Sequence, residues 1–304
     1  MSATPTIGAG RTPPAGSLPV PAPASARRVH VPAAAAPRRG VPVVALLLPL
    51  ALLVLWQVGV STGVLKTAIA STPGQVVGSL AGLLTSGVLL EELLSTLSRI
   101  AWGLGIGLAA GLAAGILTGY ARTADRAVDP TLRALNAVPA VGWIPFLILA
   151  LGIGDASKVA LISIATFFPI YVNTHAGIRG TDQKLIELAS AYHLPRRRVV
   201  RSVVIPSALP QILVGVRIAV AISWVVATVS EILYGNTGLG VLLNDGRSLA
   251  RPDQMIAVMI VLAVCGKVSD AIVVAIARRL TSWQSTLEGM APHKARVIAA
   301  RSRA

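Results

Sequence analysis

The sequence predicts an all-α, polytopic membrane protein with about six transmembrane helices. Three observations carry this reading. Hydrophobic residues fill 54% of the 304 positions, charged residues only 13%, and the mean hydropathy is +0.73, a balance that excludes a soluble domain. Apolar stretches recur at 41–60, 97–121, 134–152, 158–177, 211–233 and 255–277, each near the roughly 20 residues an α-helix needs to cross a bilayer. Most charges fall between these stretches, the basic ones mainly on one side of the expected membrane.

Residues 1–40 are rich in Pro, Ala and Ser, carry Arg11, Arg27, Arg28, Arg38 and Arg39, and have no apolar run able to bury itself. They are expected to form a disordered cytoplasmic tail. Residues 41–95 hold the first span, too long for a typical leader's apolar core and so expected to be retained, and an external amphipathic segment. That segment opens at Ser71-Thr72-Pro73-Gly74 and places Leu80, Leu83, Leu84 and Val88 at helical spacing along the membrane surface. Residues 96–283 form the core, with a cytoplasmic loop at about 177–210, and 284–304 a second basic tail.

The second span carries Gly103, Gly107, Gly111, Gly115 and Gly119, one every fourth residue. Positions four apart share a helix face, so they make a groove that admits another helix closely. The groove is read first as a packing seam, with a smooth face able to slide between states as the sharper alternative. Prolines at 139, 145 and 169 are expected to bend the third and fourth spans. Asn136, Asn173, Thr174 and His175 lie nearby, as a translocation path or as ordinary interhelical hydrogen bonding. His175 reads as a membrane-boundary residue.

Intramembrane charges are candidates for function. Arg217 can snorkel to the cytoplasmic surface, Glu231 lies near the outer end of the fifth span, and Lys267 and Asp270, three apart, can neutralise each other in a structural or a substrate-handling role. Cys265, the only cysteine, excludes an intrachain disulfide and reads as a small packing residue.

Orientation follows from the basic residues. Arg122, Arg126, Arg133, Arg179, Lys184, Arg196, Arg197, Arg198, Arg201, Arg278, Arg279 and both tails fall on one side, against Lys66, Arg99, Lys158, Arg247 and Arg251 on the other. The positive-inside rule puts both termini and the 177–210 loop in the cytoplasm. Anionic lipid headgroups account for the net charge of +15, so it calls for no nucleic acid. No catalytic constellation is present: no Gly-rich loop ends in Gly-Lys-Ser/Thr, and His30, His175, His193 and His293 are too scattered to hold a metal. The chain is expected to be non-catalytic and to use no cofactor.

The most informative stretch is Glu187-Leu-Ala-Ser-Ala-Tyr-His193, followed by a basic run and Val203-Val-Ile205-Pro206. A polar loop between apolar segments needs a partner in water. It resembles the EAA loop of bacterial ABC-importer permeases. Glu187, Ala189, Val203, Ile205 and Pro206 fall in register, with Leu188 in place of the usual Ala and His193 in place of the usual Gly. Asn136-Ala-Val-Pro139, the run from Ile144 to Asp155, the run from Phe168 to Thr174, Val214-Gly-Val-Arg217 and Gly238-Leu-Gly240 extend the likeness over about 96–283. They are similar to the nitrate/sulfonate/taurine branch, and most of all to the aliphatic-sulfonate permeases.

The resemblance implies a multi-pass subunit of the bacterial cell membrane, working as a dimer, here read as a homodimer. Its partners would be two cytoplasmic ATP-binding subunits and an external substrate-binding protein or lipoprotein. It implies that the loop inserts two short helices into the ATPase. Asp182 suits the cap of the first, Pro195 the start of the second, and His193 and Leu194 the turn. The expected cargo is a small anion, an alkanesulfonate, with taurine, nitrate, bicarbonate or a pyrimidine precursor as alternatives within the family. The alternative from another class is a self-sufficient secondary transporter or channel, which would need its own coupling carboxylate near the bilayer midplane.

Overall fold

In the computed structural model, residues 43–63 and 71–281 are described; the 1–40 tail, Lys66 and the 284–304 tail lie outside them. From Pro49 onward the described residues form one unit, and the earlier ones, from Val43 to Leu48, are the first turns of α1 (Val43–Ser61). Among the described residues every regular element is helical. Thr72 and Gln75 cap α2 (Pro73–Thr85) reciprocally: the Gln75 amide donates to Thr72 Oγ1 at 3.3 Å, and the Thr72 amide to Gln75 Oε1 at 2.9 Å. Leu80 and Leu83 pack on the core, whereas Leu84 and Val88 stay exposed. The chain then enters α3 (Val88–Tyr120), which begins well before the expected span and takes in Glu91 and Glu92.

Four helical stretches are long and apolar enough to cross a membrane: α3, α6 (Asp155–Arg179), α11 (Pro252–Leu280), and the continuous run Arg197–Tyr234, which holds most of α8 (Arg196–Val199) and all of α9 (Ile205–Tyr234). The span expected at 134–152, bent at its prolines, does not form as one helix. Instead α4 (Arg122–Asn136) and α5 (Ile144–Leu151) meet at a bend of 93°, and together they supply at most one broken span. The reason is local. Pro139 disfavours helical geometry at Val138, and Pro139 and Pro145 each remove a donor, so only a 3-10 turn, Ala140–Trp143, bridges the gap. The α4 side of the bend is also polar, carrying Arg122, Asp125, Arg126, Asp129 and Arg133. With the 19 residues of α1, the count is about six.

The centre of the fold is the pair α3 and α6, joined by the glycine groove. Gly103, Gly107, Gly111, Gly115 and Gly119 face Ile162, Thr166, Ile170, Thr174 and Ile178, a four-residue period on both helices. A Cβ at Gly103 would lie 2.6 Å from Ile162 Cβ, and one at Gly111 2.9 Å from the Phe167 carbonyl, so the backbones approach too closely for any side chain. On its other side α6 meets α9, where Gly215 sits against Asn173 and the Pro169 carbonyl. Leu161, Ile162, Trp224, Leu239 and Val258 complete the buried core with residues from α6, α9, α10 (Leu239–Ser248) and α11.

Candidate functional sites: a helical hairpin at one end, a buried ion network at the other

The loop around Glu187 folds as a helical hairpin. Asp182 caps α7 (Gln183–Ala191), its Oδ1 accepting from the Lys184 amide at 2.9 Å. The helix stops where His193 adopts φ 51°, the left-handed conformation that glycine takes most easily. The turn closes with the His193 amide on Ser190 O (2.9 Å) and the Leu194 amide on Ala189 O (3.1 Å). After Pro195 the chain passes through α8 and one π-type turn, Val200–Val204, directly into α9. Pro206 offers no N–H to that turn, which lets the register slip by one residue.

The hairpin residues divide by burial. Ala189 and Val204 are buried; Val203, Ile205 and Pro206 are half-buried where α9 begins; Glu187 and His193 are exposed. Leu185, Leu188 and Tyr192 stand out as an apolar stripe on α7, with Tyr192 74% exposed. They are three exposed apolar side chains on one side of a short helix, Tyr192 at its C-cap.

At the opposite end lies a network that sequence reading missed. Arg99, counted above as an external loop charge, is 3% exposed and donates from Nη1 to Glu231 Oε1 at 2.7 Å and from Nε to Asp155 Oδ1 at 2.8 Å. Its Nη1 and Nη2 also reach the Thr237 carbonyl (2.7 Å) and hydroxyl (2.5 Å). Glu231, 1% exposed, accepts further from Thr96 Oγ1 and the Gly240 amide, both at 2.9 Å. The Leu239 amide donates to Thr96 Oγ1, and the Gly238 amide to Glu92. Gly238 has φ 119°, and a Cβ on Gly240 would lie 2.7 Å from Glu231 Cβ, so the carboxylate is roofed by bare backbone. Lys158, also counted as external, is buried beside Asp155. The four helices α3, α6, α9 and α10 are thereby tied by one satisfied ionic cluster. Arg99 and Glu231 are 132 positions apart, which no local motif bridges.

Polar groups inside the helical unit sort into four places. Asn136 and Asn173 line one cleft of about 420 Å³ with Pro139, Phe168, Pro169 and Ile218. Asn173 donates to the Pro169 carbonyl and accepts from Gln211, both at 2.8 Å. Thr174 is not with them; it is fully buried in the seam against Gly115. His175 Nε2 lies 2.8 Å from Asp125 Oδ1, while Arg179 also binds Asp125, and Tyr171 and Arg133 both reach Asp129 at 2.6 Å. Asp125, Asp129 and His175 could bring ligand atoms within 4.8 Å, but these carboxylates are already matched by guanidinium groups, so the cluster works as a lock between α4 and α6. Finally, Arg217 does not reach for the surface: its Nε lies 2.5 Å from Asp270 Oδ1, and Lys267 lies 3.8 Å from Oδ2 of the same carboxylate.

Residues 105–282 match the family model of the binding-protein-dependent transport system inner membrane component. The aliphatic sulfonates transport permease protein SsuC of Bacillus subtilis is 34% identical over 244 residues, covering 80% of this chain and 88% of that protein. The riboflavin transport system permease protein RibX of Chloroflexus aurantiacus is 37% identical over 250 residues, covering 82% and 92%. The fold is similar to that of the inward-facing MetNI methionine ABC transporter, with a TM-score of 0.57 at 20% identity over 64% of this chain and 96% of that one. A hairpin built into the start of a spanning helix, a sealed far end and matches of this extent lead to one conclusion: the chain belongs to the family of binding-protein-dependent transport system inner membrane components, and is a multi-pass membrane permease subunit of an ABC importer.

Proposed function

We propose that this permease works as a homodimer, takes an alkanesulfonate from an external binding protein, and is driven by two cytoplasmic ATPase subunits docked on the Glu187 hairpin. The observation that carries the coupling role is the continuity of hairpin and span. Arg197–Tyr234 is one helical run of 38 residues, about 57 Å at 1.5 Å per residue. A force applied at α8 reaches Glu231 and the Arg99 network without crossing a loop, so closure of the ATPase pair tilts α9 as a rigid lever. Glu187, Ala189, His193, Val203, Ile205 and Pro206 form the docking element, and the α7 stripe of Leu185, Leu188 and Tyr192 enters the partner's groove.

The orientation follows the positive-inside rule more sharply once Arg99 and Lys158 are set aside as buried. Arg122, Arg179, Lys184, Arg197, Arg198, Arg201, Arg278 and Arg279 belong to the hairpin end, against Arg247 and Arg251 at the other. Both termini are therefore cytoplasmic. Asn136 and Asn173 line the substrate path. A secondary transporter would need a free carboxylate in a span, and Glu231 is held by Arg99. The sulfonate assignment is supported by the likeness to permeases bearing that name. Taurine, nitrate, bicarbonate, a pyrimidine precursor or riboflavin would each replace it if the cognate binding protein preferred that ligand.

The test is Glu187→Lys. Insertion and abundance should remain at wild-type level, since the residue is exposed, while ATPase co-purification and uptake fall together. Wild-type values of all three would overturn the docking role. Cysteine at Ser190 or Ser202 in a Cys265→Ala background should react with impermeant thiol reagents only from the cytoplasm, and at Ser248 only from outside. External labelling of position 190 would reverse the orientation.

A further inference from the structure

Arg217, Lys267 and Asp270 lie at least ten residues from either end of their helical runs. Arg217 grips Asp270 with two hydrogen bonds, Nε at 2.5 Å and Nη2 at 3.0 Å, and Lys267 stands 3.8 Å from the same carboxylate. Two cations share one anion, so one positive charge is left over within the cluster. It is not shielded by this chain: the Lys267 side chain is 81% exposed and that of Arg217 57%.

Depth makes that exposure informative. Along α11, Lys267 lies about 16 Å from Arg278 and about 21 Å from Asp253, at 1.5 Å per residue. It therefore sits near the middle of a hydrocarbon layer about 30 Å thick, beyond the reach of a snorkelling side chain. Charges at that depth face protein or water rather than lipid. The same helix has a second stripe, Val264, Val268, Ile272 and Ile276, each close to half exposed and apolar, that suits lipid tails. On the charged stripe, by contrast, Asp270 leads to Val274 and Arg278, which line a cleft of about 320 Å³ between α9 and α11 together with Arg217. Ile218, one position on from Arg217 and about 100° round the helix, lines the Asn136 and Asn173 cleft, so the two clefts border the exposed strip of α9 between them, which carries Val214 and Val225.

We propose that this face borders the aqueous path and that Lys267 and Arg217 bind the oxyanion head of the transported substrate in passage. Asp270 aims the guanidinium and reduces the local charge to a single positive unit. That is enough to draw an anion out of water and too little to trap it, as conduction requires. The bidentate grip leaves the remaining Arg217 N–H groups and all of the Lys267 ammonium facing the path. This site rests on the anion-importer reading.

The test uses the reconstituted importer with its ATPase and binding protein, and labelled ethanesulfonate as the probe. Lys267→Gln should lower uptake by about tenfold or more, the loss of one charge-assisted hydrogen bond. ATPase co-purification and ATP hydrolysis stimulated by loaded binding protein should stay at wild-type level, and Lys267→Arg should restore most of the uptake. Lys267→Cys in the Cys265→Ala background should react with an anionic thiosulfonate, and free ethanesulfonate should slow that reaction. Undiminished uptake by Lys267→Leu, or a cysteine that no aqueous reagent reaches, would place the stripe in lipid and overturn the site alone. Slowing by phosphatidylglycerol but not by ethanesulfonate would assign the cations to a lipid phosphate, and also overturns it. A wild-type importer that couples to its ATPase yet carries no anion would overturn the substrate reading and the site with it.

Discussion

The two ends of the molecule use similar residues to opposite purposes. At one end an arginine, a glutamate and close-packed glycines are sealed together: Arg99 and Glu231 are 3% and 1% exposed, and the ionised oxygens of Glu231 are met by donors from other elements. At the hairpin end a glutamate, a row of arginines and an apolar stripe stand open to solvent. The first arrangement is satisfied within the chain; the second leaves its charges and apolar side chains exposed, the surface that the proposed ATPase docking would cover. Residue type alone does not separate a sealed end from an open one, whereas burial and satisfaction do.

The sharpest way to break this contrast is Glu231→Ala. It leaves Arg99 as a buried charge with its main partner gone, and should cost about 3–5 kcal/mol of stability, read as lost abundance or a lower Tm in detergent. Adding Arg99→Met should recover much of the loss, because the stranded charge goes too. A single variant as stable as wild type would show that water reaches the cluster. The intended control at the open end is Glu187→Lys, which should leave Tm unmoved while coupling is lost.

The seam between the ends gives the next largest effect. Gly111→Leu drives a side chain against the Phe167 carbonyl and Ile170, and should destabilise by about 1–3 kcal/mol or more. Gly105→Ala on the same helix meets nothing within 4 Å and should be neutral or stabilise by up to about 1 kcal/mol through helix propensity. Equal effects at the two positions would mean that α3 and α6 separate readily, as the sliding reading of the groove requires. The smallest effect belongs to the hairpin turn. His193→Gly relieves a non-glycine residue at φ 51° and should stabilise the hairpin by about 1 kcal/mol, measurable as slower amide exchange across α7. Faster exchange would mean that the imidazole itself holds the turn.

These comparisons also show what could be read in advance. The hairpin was legible residue by residue, since the Asp182 cap, the turn at His193 and the restart after Pro195 depend on neighbours in sequence. The glycine groove was legible as a face, and its partner, the Ile162 to Ile178 stripe of α6, was not. In the third span Pro139 and Pro145 announced a bend, but not that it reaches 93° or that the helix before it begins as far back as Arg122. Arg217 was read as a snorkelling residue because its partner, Asp270, lies 53 positions away.

The sequence by itself determined that this chain is a helical membrane protein, where most of its apolar helices fall, and where the capped hairpin lies, because hydropathy, helical period and capping act over a few residues and need no knowledge of the rest of the chain. Only the tertiary structure decided which charges are sealed and which are left open. The burial of Arg99 on Glu231, the grip of Arg217 on Asp270 and the separation of Thr174 from Asn173 all depend on which helices meet and on which face. A charge in a span must find a partner because lipid offers none, but the identity of that partner is set by packing between distant segments.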